Sequence, residues 1–496
     1  MIVQPPETPP LNVRARRKSL GQFFTPHAVA RSLVSWVVQS PRDLLLDPSC
    51  GDGAFLRCHK RSVGIEMDAE NAQHARAVAP SALVHGGDFF NWAFATKERF
   101  DAIAGNPPFI RYQALDEDVR ARALAASSLM GAHFSALTSS WAPFVLVAAG
   151  LLKPGGGMAF VVPAELGHAK YVRPLLPALC ARFARVHVVA CREKLFPDLS
   201  QDCWLLYCDG YEGSTDSVAL TTTERFQPTD TPPRASRIVS LQAWRERGER
   251  LRPFLLPDAT VRLYHELTQR QGTKRFGDLA AAGIGYVTGD NDFFHLRPSE
   301  VRRRGIPEQL LRVAIRKGDQ LPPEFVAGPN VATWLEGDEP VLLLDLGRVD
   351  RLPASVERYL DEEPGQRARK TFKCRNRDPW YAVPDIKVPD AFLSVMSGDR
   401  PMLVRNEASC VCTNTLLAVR FKDGSNVRNI QTAWKTPLAQ LGAELEGHPL
   451  GGGMLKLEPR EAAQVPVPLG PIPLTANEVG VLEDGVRTMR AWRHNA

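Results

Sequence analysis

The sequence predicts an α/β domain with a mainly parallel sheet, followed by an α+β domain. Three observations lead there. Short apolar runs alternate with amphipathic stretches through the first half, the pattern of strands joined by crossover helices. A length of 496 residues exceeds what one typical core holds. From about Leu251 onward, β-branched and aromatic runs are broken by Gly and Pro, as in Gly283-Ile284-Gly285-Tyr286-Val287-Thr288-Gly289, and helices are more scattered. The hydrophilic stretch Gln227-Pro228-Thr229-Asp230-Thr231-Pro232-Pro233-Arg234 marks the edge of the first domain, which gives domains of 1–240 and 241–496.

Strands are expected at 44–47, 63–66, 101–105, 158–162, 186–190 and 203–208, with helices between them. The clearest helix runs over 134–152, kinked or divided by Pro143 and ended by Lys153-Pro154-Gly155-Gly156-Gly157. No internal repeat, heptad array or low-complexity tract is present.

Composition excludes several classes. Hydrophobic and charged shares of 44% and 23% are those of a globular protein rather than a disordered one. The Pro-rich residues 1–10 lack the apolar stretch of a secretory signal, and no run reaches the length of a membrane span, so a cytoplasmic location and no membrane partner are expected. The nine Cys include no C-x-x-C pair, and the Cys410-Val411-Cys412 spacing suits neither a zinc site nor a disulfide framework. Reduced thiols and no metal follow. The net charge of +6 permits a polyanionic partner. Its distribution says more: Arg14, Arg16, Arg17 and Lys18 form one cluster, Arg302, Arg303 and Arg304 another, and Lys370, Lys373, Arg375 and Arg377 a third that runs into Trp380 and Tyr381. Basic residues beside aromatics suit a nucleic acid.

The first expected strand runs into Asp47-Pro48-Ser49-Cys50-Gly51-Asp52-Gly53, a Gly-rich turn that lets backbone approach a ligand at a strand end. Leu56 stands where a dinucleotide-binding turn has its third Gly, and no G-x-x-x-x-G-K-[ST] occurs, which disfavours dinucleotides and nucleotide hydrolysis. Glu66, with Met67 after it, ends the second strand where a carboxylate can accept ribose hydroxyls. Asp88 and Phe89 offer an acceptor and a ring for adenine. Ribose and adenine without a phosphate cradle point to S-adenosyl-L-methionine. Glu66 and Asp88 could equally cap helices.

Asn106-Pro107-Pro108-Phe109 follows the third of these strands and fits methylation of an exocyclic amine. Such a nitrogen is a weak nucleophile, because its lone pair is delocalised into the ring. Two acceptors are needed for its N–H bonds, and the Asn106 side-chain oxygen and the Pro107 carbonyl can supply them. Phe109 adds a stacking face.

Together, Gly21-Gln22-Phe23-Phe24-Thr25-Pro26, the Asp47 to Phe55 turn, Glu66, Asp88-Phe89 and Asn106 to Phe109 resemble the γ-class adenine-N6 DNA methyltransferases of restriction–modification systems. The motif order matches too. The resemblance implies a class I S-adenosylmethionine-dependent methyltransferase, Rossmann-like with a seven-stranded mixed sheet, and a C-terminal α+β target recognition domain. It places Thr25, Pro26 and the Pro48 to Gly53 turn near the methionine part of the cofactor, and Glu66 near ribose. Asp88 and Phe89 fall near adenine, and Phe196 becomes a second wall for a flipped base. Arg111, Lys373, Arg375 and Trp380 are candidate substrate contacts. Double-stranded DNA is the implied partner, with a cognate restriction endonuclease in a bacterial or archaeal cell and a nucleoid-associated location. Gly285 to Phe294, Lys373 to Tyr381, Gly451 to Pro459, and Asn406-Glu407 with Thr413-Asn414-Thr415 resemble recognition segments of a subset. Phe109 replaces the Tyr of many relatives, and the short stretch between Gly53 and Val63 leaves room for only a brief helix. The alternatives are an RNA-base or protein-glutamine N-methyltransferase, or a bifunctional restriction–methylation enzyme, since Pro384-Asp385-Ile386-Lys387 resembles a nuclease Pro-Asp motif. The few residues before Thr25 leave no room for an N-terminal nuclease domain.

Overall fold

A computed structural model describes residues 25–109, 116–135, 138–196, 202–347, 349–450, 452–470 and 474–494. Gly21 to Phe24, the basic cluster at 14–18, Arg111, Pro197 and Gly451 lie outside the described residues. The chain divides into two compact units, one ending at Leu255 and one beginning at Leu256.

The first unit starts with helix α1 (His27–Val37) and strand β1 (Leu45–Asp47), then a single 3₁₀ turn, Leu56–Cys58, and β2 (Ser62–Glu66). Next come α2 (Ala69–Val78), β3 (Leu83–Gly86), α3 (Phe89–Ala95) and β4 (Phe100–Gly105). They are followed by α4 (Glu117–Leu129), α5 (Trp141–Ala149), β5 (Leu152–Pro163), α6 (Leu175–Cys180) and β6 (Phe183–Cys191). Strands β7 (Cys203–Tyr211), β8 (Ser217–Thr223) and β9 (Arg237–Ser240) and helix α7 (Leu241–Glu246) complete the unit.

These strands form one sheet in the order β3-β2-β1-β4-β5-β7-β6-β8-β9. Strands β1 to β5 pair in parallel, and β7 runs antiparallel between β5 and β6. The expected seven-stranded mixed sheet is present as β1–β7. The count itself needs correcting to nine, because β8 pairs in parallel with β6 and β9 closes the edge antiparallel to β8. All residues of β1 and β2 are buried, which matches their continuous apolar runs and a sheet covered on both faces.

Helix α5 is shorter than expected, and Pro143 does not kink it. As the third helical residue, Pro143 sits where backbone N–H groups have no partner in any helix. The Gly-rich stretch after it does not end a helix but belongs to β5, where the pairing with β4 shifts register between Phe100 and Ala102. At Gly156 a Cβ would lie 2.8 Å from the Asp101 carbonyl oxygen, so glycine allows the irregular pairing.

The second unit is α+β. Its largest sheet holds five strands in the order Ala280–Ile284, Leu416–Phe421, Ala391–Ser394, Leu403–Asn406 and Phe325–Val326. One of its cores packs Phe276 against Trp434, ring centroids 4.9 Å apart. A second gathers Phe293, Phe294 and Tyr359.

The final helix, Ala476–Ala491, is followed by Arg493, which is fully buried. Its guanidinium donates through Nε at 3.0 Å and Nη2 at 2.8 Å to Glu444, itself 1% exposed. It also donates to the carbonyls of Gly398, Asp399 and Gly453. Every arm of the fork is used. Arg493→Ala should therefore lower stability by about 3–5 kcal/mol, since it leaves the buried Glu444 carboxylate with only the Arg490 guanidinium, 3.5 Å away, and strips three carbonyls of their donor. Arg493→Lys keeps the charge without the fork and should recover only part. Urea unfolding checks this, and an unshifted midpoint for the alanine variant would refute it.

Candidate active site

Strand order reverses at β1, whose neighbours β2 and β4 continue to opposite sides of the sheet. Connections leaving the two halves diverge there and open a crevice at the carboxyl ends of the strands, the usual ligand position in such sheets. The residues after β1, β2 and β4 meet at this point.

Asp47 closes β1 with no exposed surface. Its Oδ1 accepts the Ser49 N–H at 3.2 Å, and its Oδ2 is buried without a hydrogen-bond partner among the described residues. Burial pushes its carboxyl well above the ordinary range, and the nearby Glu66 and Asp52 push it further. Burial also raises Glu66 and Asp52. Three carboxyl groups with raised pKa around one turn make a site that favours a cation.

The turn is held by Glu66, whose Oε2 accepts the Gly51 N–H at 2.9 Å and whose Oε1 accepts the Asp68 N–H at 2.8 Å. The two glycines differ in purpose. Both have positive φ, +51° at Gly51 and +82° at Gly53, so both need glycine. A Cβ at Gly51 would meet nothing within 4 Å, as a ligand approach requires, whereas one at Gly53 would lie 3.2 Å from Ala75 Cα in α2. Gly53 therefore serves helix packing. Pro48 and Cys50 are buried, and burial raises the Cys50 thiol far above its usual value, leaving it inert. Met67 is 61% exposed beside Glu66 and offers an apolar face.

Asp88 caps α3, its Oδ1 accepting the Asn91 N–H at 2.9 Å. Phe89 is 5% exposed and packs on Phe144, centroids 4.3 Å apart, so most of its ring is already covered.

The Asn106–Phe109 turn after β4 is fixed from both sides. Asn106 Nδ2 donates to Thr25 Oγ1 at 3.3 Å, using the N–H half of the amide and not the oxygen that would receive a substrate. Ser49 Oγ donates to the Asn106 carbonyl at 2.9 Å, and Ser140 Oγ donates to the Pro108 carbonyl at 2.8 Å. Between those two carbonyls lies that of Pro107, to which no donor among the described residues reaches. Phe109 is half-buried against an apolar cluster that includes Leu195, Phe196 and α1. Thr25 is buried, whereas Pro26 is exposed at the start of α1. Thr25, Asp47, Ser49, Glu66, Asn106, Phe109 and Phe196 thus come together in the first unit.

Ser140 escaped the sequence reading, because a serine before a helix is common. Its support escaped too: Trp141 Nε1 donates to Tyr171 Oη at 3.0 Å, and Tyr171 Oη donates to Glu165 at 2.5 Å, bracing the start of α5.

In the second unit, Lys373 and Arg375 are exposed, while Trp380 is half-buried against Phe293, centroids 5.8 Å apart. Asp385 lies exposed in an irregular stretch at φ +59°, 3.9 Å from Lys387. Among the described residues, the one cluster with metal-ligand chemistry is His448, Glu458 and Glu461, where Lys456 already pairs with Glu458 at 2.5 Å. Asp385 is not part of it.

Comparison with known proteins matches residues 11–78 to the N-6 DNA Methylase family. Residues 56–178 match the Eco57I restriction-modification methylase family, and 249–492 the C-terminal domain of Type II methyltransferase M.Eco57I. The chain belongs to the N6 DNA methylases of restriction–modification systems. Among its relatives, Type II methyltransferase M.AccI of Acinetobacter calcoaceticus is 21% identical over 79% of this chain and 74% of its own length. Type II methyltransferase M.XamI of Xanthomonas campestris pv. amaranthicola is 23% identical over 92% of this chain and 86% of its own. The Type IIL restriction-modification enzyme MmeI, solved in complex with DNA, superimposes with a TM-score of 0.51 at 13% identity, covering 84% of this chain and 60% of that one. At that identity the likeness concerns the fold. The chain is a site-specific DNA methyltransferase that uses S-adenosylmethionine. The turn after β1 fits that cofactor, because Asp47 offers a buried, unsatisfied oxygen beside an open glycine and the cofactor carries positive charge. No helix among the described residues is long and apolar enough to cross a membrane.

A carboxyl with raised folded pKa makes the protein less stable as pH rises from its unfolded value of about 4 through the folded one. Asp47→Asn should therefore raise the melting temperature of the cofactor-free methylase at neutral pH while weakening cofactor binding by roughly tenfold or more, a trade common at functional sites. Differential scanning fluorimetry with and without cofactor reads both effects, and a variant with lower melting temperature and unchanged affinity would contradict the assignment. Ser140→Ala should lower kcat by about tenfold or more with little change in cofactor affinity, because a misplaced acceptor slows the chemical step. Unchanged kcat would show that the clamp is dispensable.

Proposed function

We propose that the protein methylates N6 of an adenine rotated out of duplex DNA into the crevice beside β1 and β4. The clamped Asn106–Phe109 turn carries this reading. Its two serine bonds occupy the outer carbonyls and leave Pro107 as the acceptor for one amino N–H, while the Asn106 side-chain oxygen takes the other. An amine held by both hydrogens keeps its lone pair directed at a fixed point. When bound, the cofactor supplies an electrophilic methyl group on a sulfonium.

Glu66 and Met67 would hold the ribose side of the cofactor, and Asp88 with the remaining edge of Phe89 its adenine. Asp47 and Asp52 would balance its positive charge. A base turned out of the stack costs a few kcal/mol, and stacking on Phe109 with Phe196 behind it would offset about 1–3 kcal/mol of that. Lys373 and Arg375, both exposed, would contact the DNA from the second unit, which would read the target sequence. A cognate endonuclease with the same specificity, and a cytoplasmic setting beside the chromosome, complete the proposal.

Two variants separate binding from chemistry. Asn106→Ala should abolish methyl transfer and leave cofactor affinity within about threefold, whereas Glu66→Ala should weaken cofactor affinity by about tenfold or more. Isothermal titration with cofactor and a filter assay with labelled methyl groups read both. Near-normal turnover in Asn106→Ala would overturn the reading, and unchanged affinity in Glu66→Ala would remove Glu66 from the ribose site.

A further inference from the structure

Residues 366–377 carry six cations, Arg367, Arg369, Lys370, Lys373, Arg375 and Arg377, and no carboxylate. The structure folds this stretch as the end of the helix Glu363–Arg369 and a single turn, Phe372–Arg375. One side of it is locked down. Ala368 and Cys374 have no exposed surface, and the Cys374 thiol donates to the Thr288 carbonyl at 3.5 Å. Arg377 grips the carbonyls of Val287 and Thr288 through both terminal nitrogens. Gly289 seats the turn, since a Cβ there would lie 3.0 Å from Lys373 Cβ.

The other side is open. Phe372 is 66% exposed, and the Arg375 guanidinium lies 5.6 Å from its ring centroid. Arg369, Lys370 and Lys373, all within three residues of Phe372 in sequence, are exposed as well. A lone exposed apolar side chain on a surface needs no explanation. A ring presented from a rigidly anchored turn, with one cation against it and three more close to it in sequence, has the chemistry to hold a polyanion that also offers flat aromatic faces.

We propose that Phe372 is a DNA-contacting residue of the second unit, its ring packing against a base or sugar while Lys370, Lys373 and Arg375 hold the flanking phosphates. This rests on the reading of duplex DNA as substrate. Trp380, which the sequence suggested as the aromatic contact, is instead packed on Phe293, and Phe372 takes that place. Arg377 acts from behind as a positioning residue, because both of its terminal nitrogens donate to the Val287 and Thr288 carbonyls.

The test uses the full chain, a short fluorescent duplex of mixed sequence and methyl transfer to unmodified plasmid DNA. Phe372→Ala should weaken duplex binding about tenfold, the size of one stacking interaction, with the salt slope unchanged. Phe372→Trp should restore it. Lys373→Ala and Arg375→Ala should each flatten the dependence of log K on log salt by about 0.9, as expected when one phosphate is no longer neutralised. Ile238→Ala, removing a similarly exposed apolar side chain on the edge strand β9, should change nothing. Full affinity in Phe372→Ala, in a preparation that methylates DNA, would overturn this inference alone. Methyl transfer to RNA or protein and none to DNA would instead overturn the substrate reading beneath it.

Discussion

The reversal of strand order at β1 is the constraint on which the catalytic unit depends. Because β2 and β4 flank β1 and their connections leave in opposite directions, the ends of three strands face a common opening. Asp47, Glu66 and Asn106 are the last residues of β1 and β2 and the first after β4. Their proximity needs no long-range loop. Gly105 lets the end of β4 pass close to β1, since a Cβ there would lie 3.0 Å from Asp47 Oδ1. A side chain at that position would push apart the two strands whose ends carry the acceptors.

The buried carboxyl groups around the Asp47 turn oppose folding. Asp47 is charged only against the cost of burial, and the turn below it brings two further carboxyl groups close. Nothing among the described residues offsets this fully, because one Asp47 oxygen has no hydrogen-bond partner there. A cationic ligand would. The Asn106–Phe109 turn is the opposite case: its serine clamps, the Thr25 contact and the brace of Trp141, Tyr171 and Glu165 are hydrogen bonds that hold acceptors in place. Preorganised acceptors suit a reaction that needs positioning more than proton transfer.

Most of the first unit is legible in the sequence. Strands β1, β2 and β4 are buried on both faces, so their apolar runs announce them, and each begins within a residue of the expected place. Strands β3, β8 and β9 give no such signal. Leu83 of β3 is 55% exposed, β9 is the sheet edge, and in β8 beside it polar residues such as Thr222 and Thr223 interrupt the pattern. The helix before β5 reads too long because the apolar Phe134 precedes Ser140 without belonging to it. Among site residues, chemistry-bearing types at strand ends are readable, as Asp47, Glu66 and Asn106 show. Contacts made through hydroxyl groups to backbone carbonyls are not, since Ser49 and Ser140 look like any turn serine until the backbone they hold is in view. Gly53 and Trp380 each have the residue type a ligand site would use, and the structure adds a packing contact to each that the sequence does not announce.

The two units differ in what their side chains present. The first concentrates buried carboxyl groups and clamped acceptors around one crevice. The second presents cations and an aromatic ring from a turn anchored by Cys374 and Arg377. The most direct test of this account is transfer of labelled methyl groups from S-adenosylmethionine to unmodified duplex DNA, with RNA and protein as parallel acceptors, followed by nucleoside analysis. The account predicts N6-methyladenine at one recurring sequence in DNA. A modified cytosine, or label confined to RNA or protein, would contradict it.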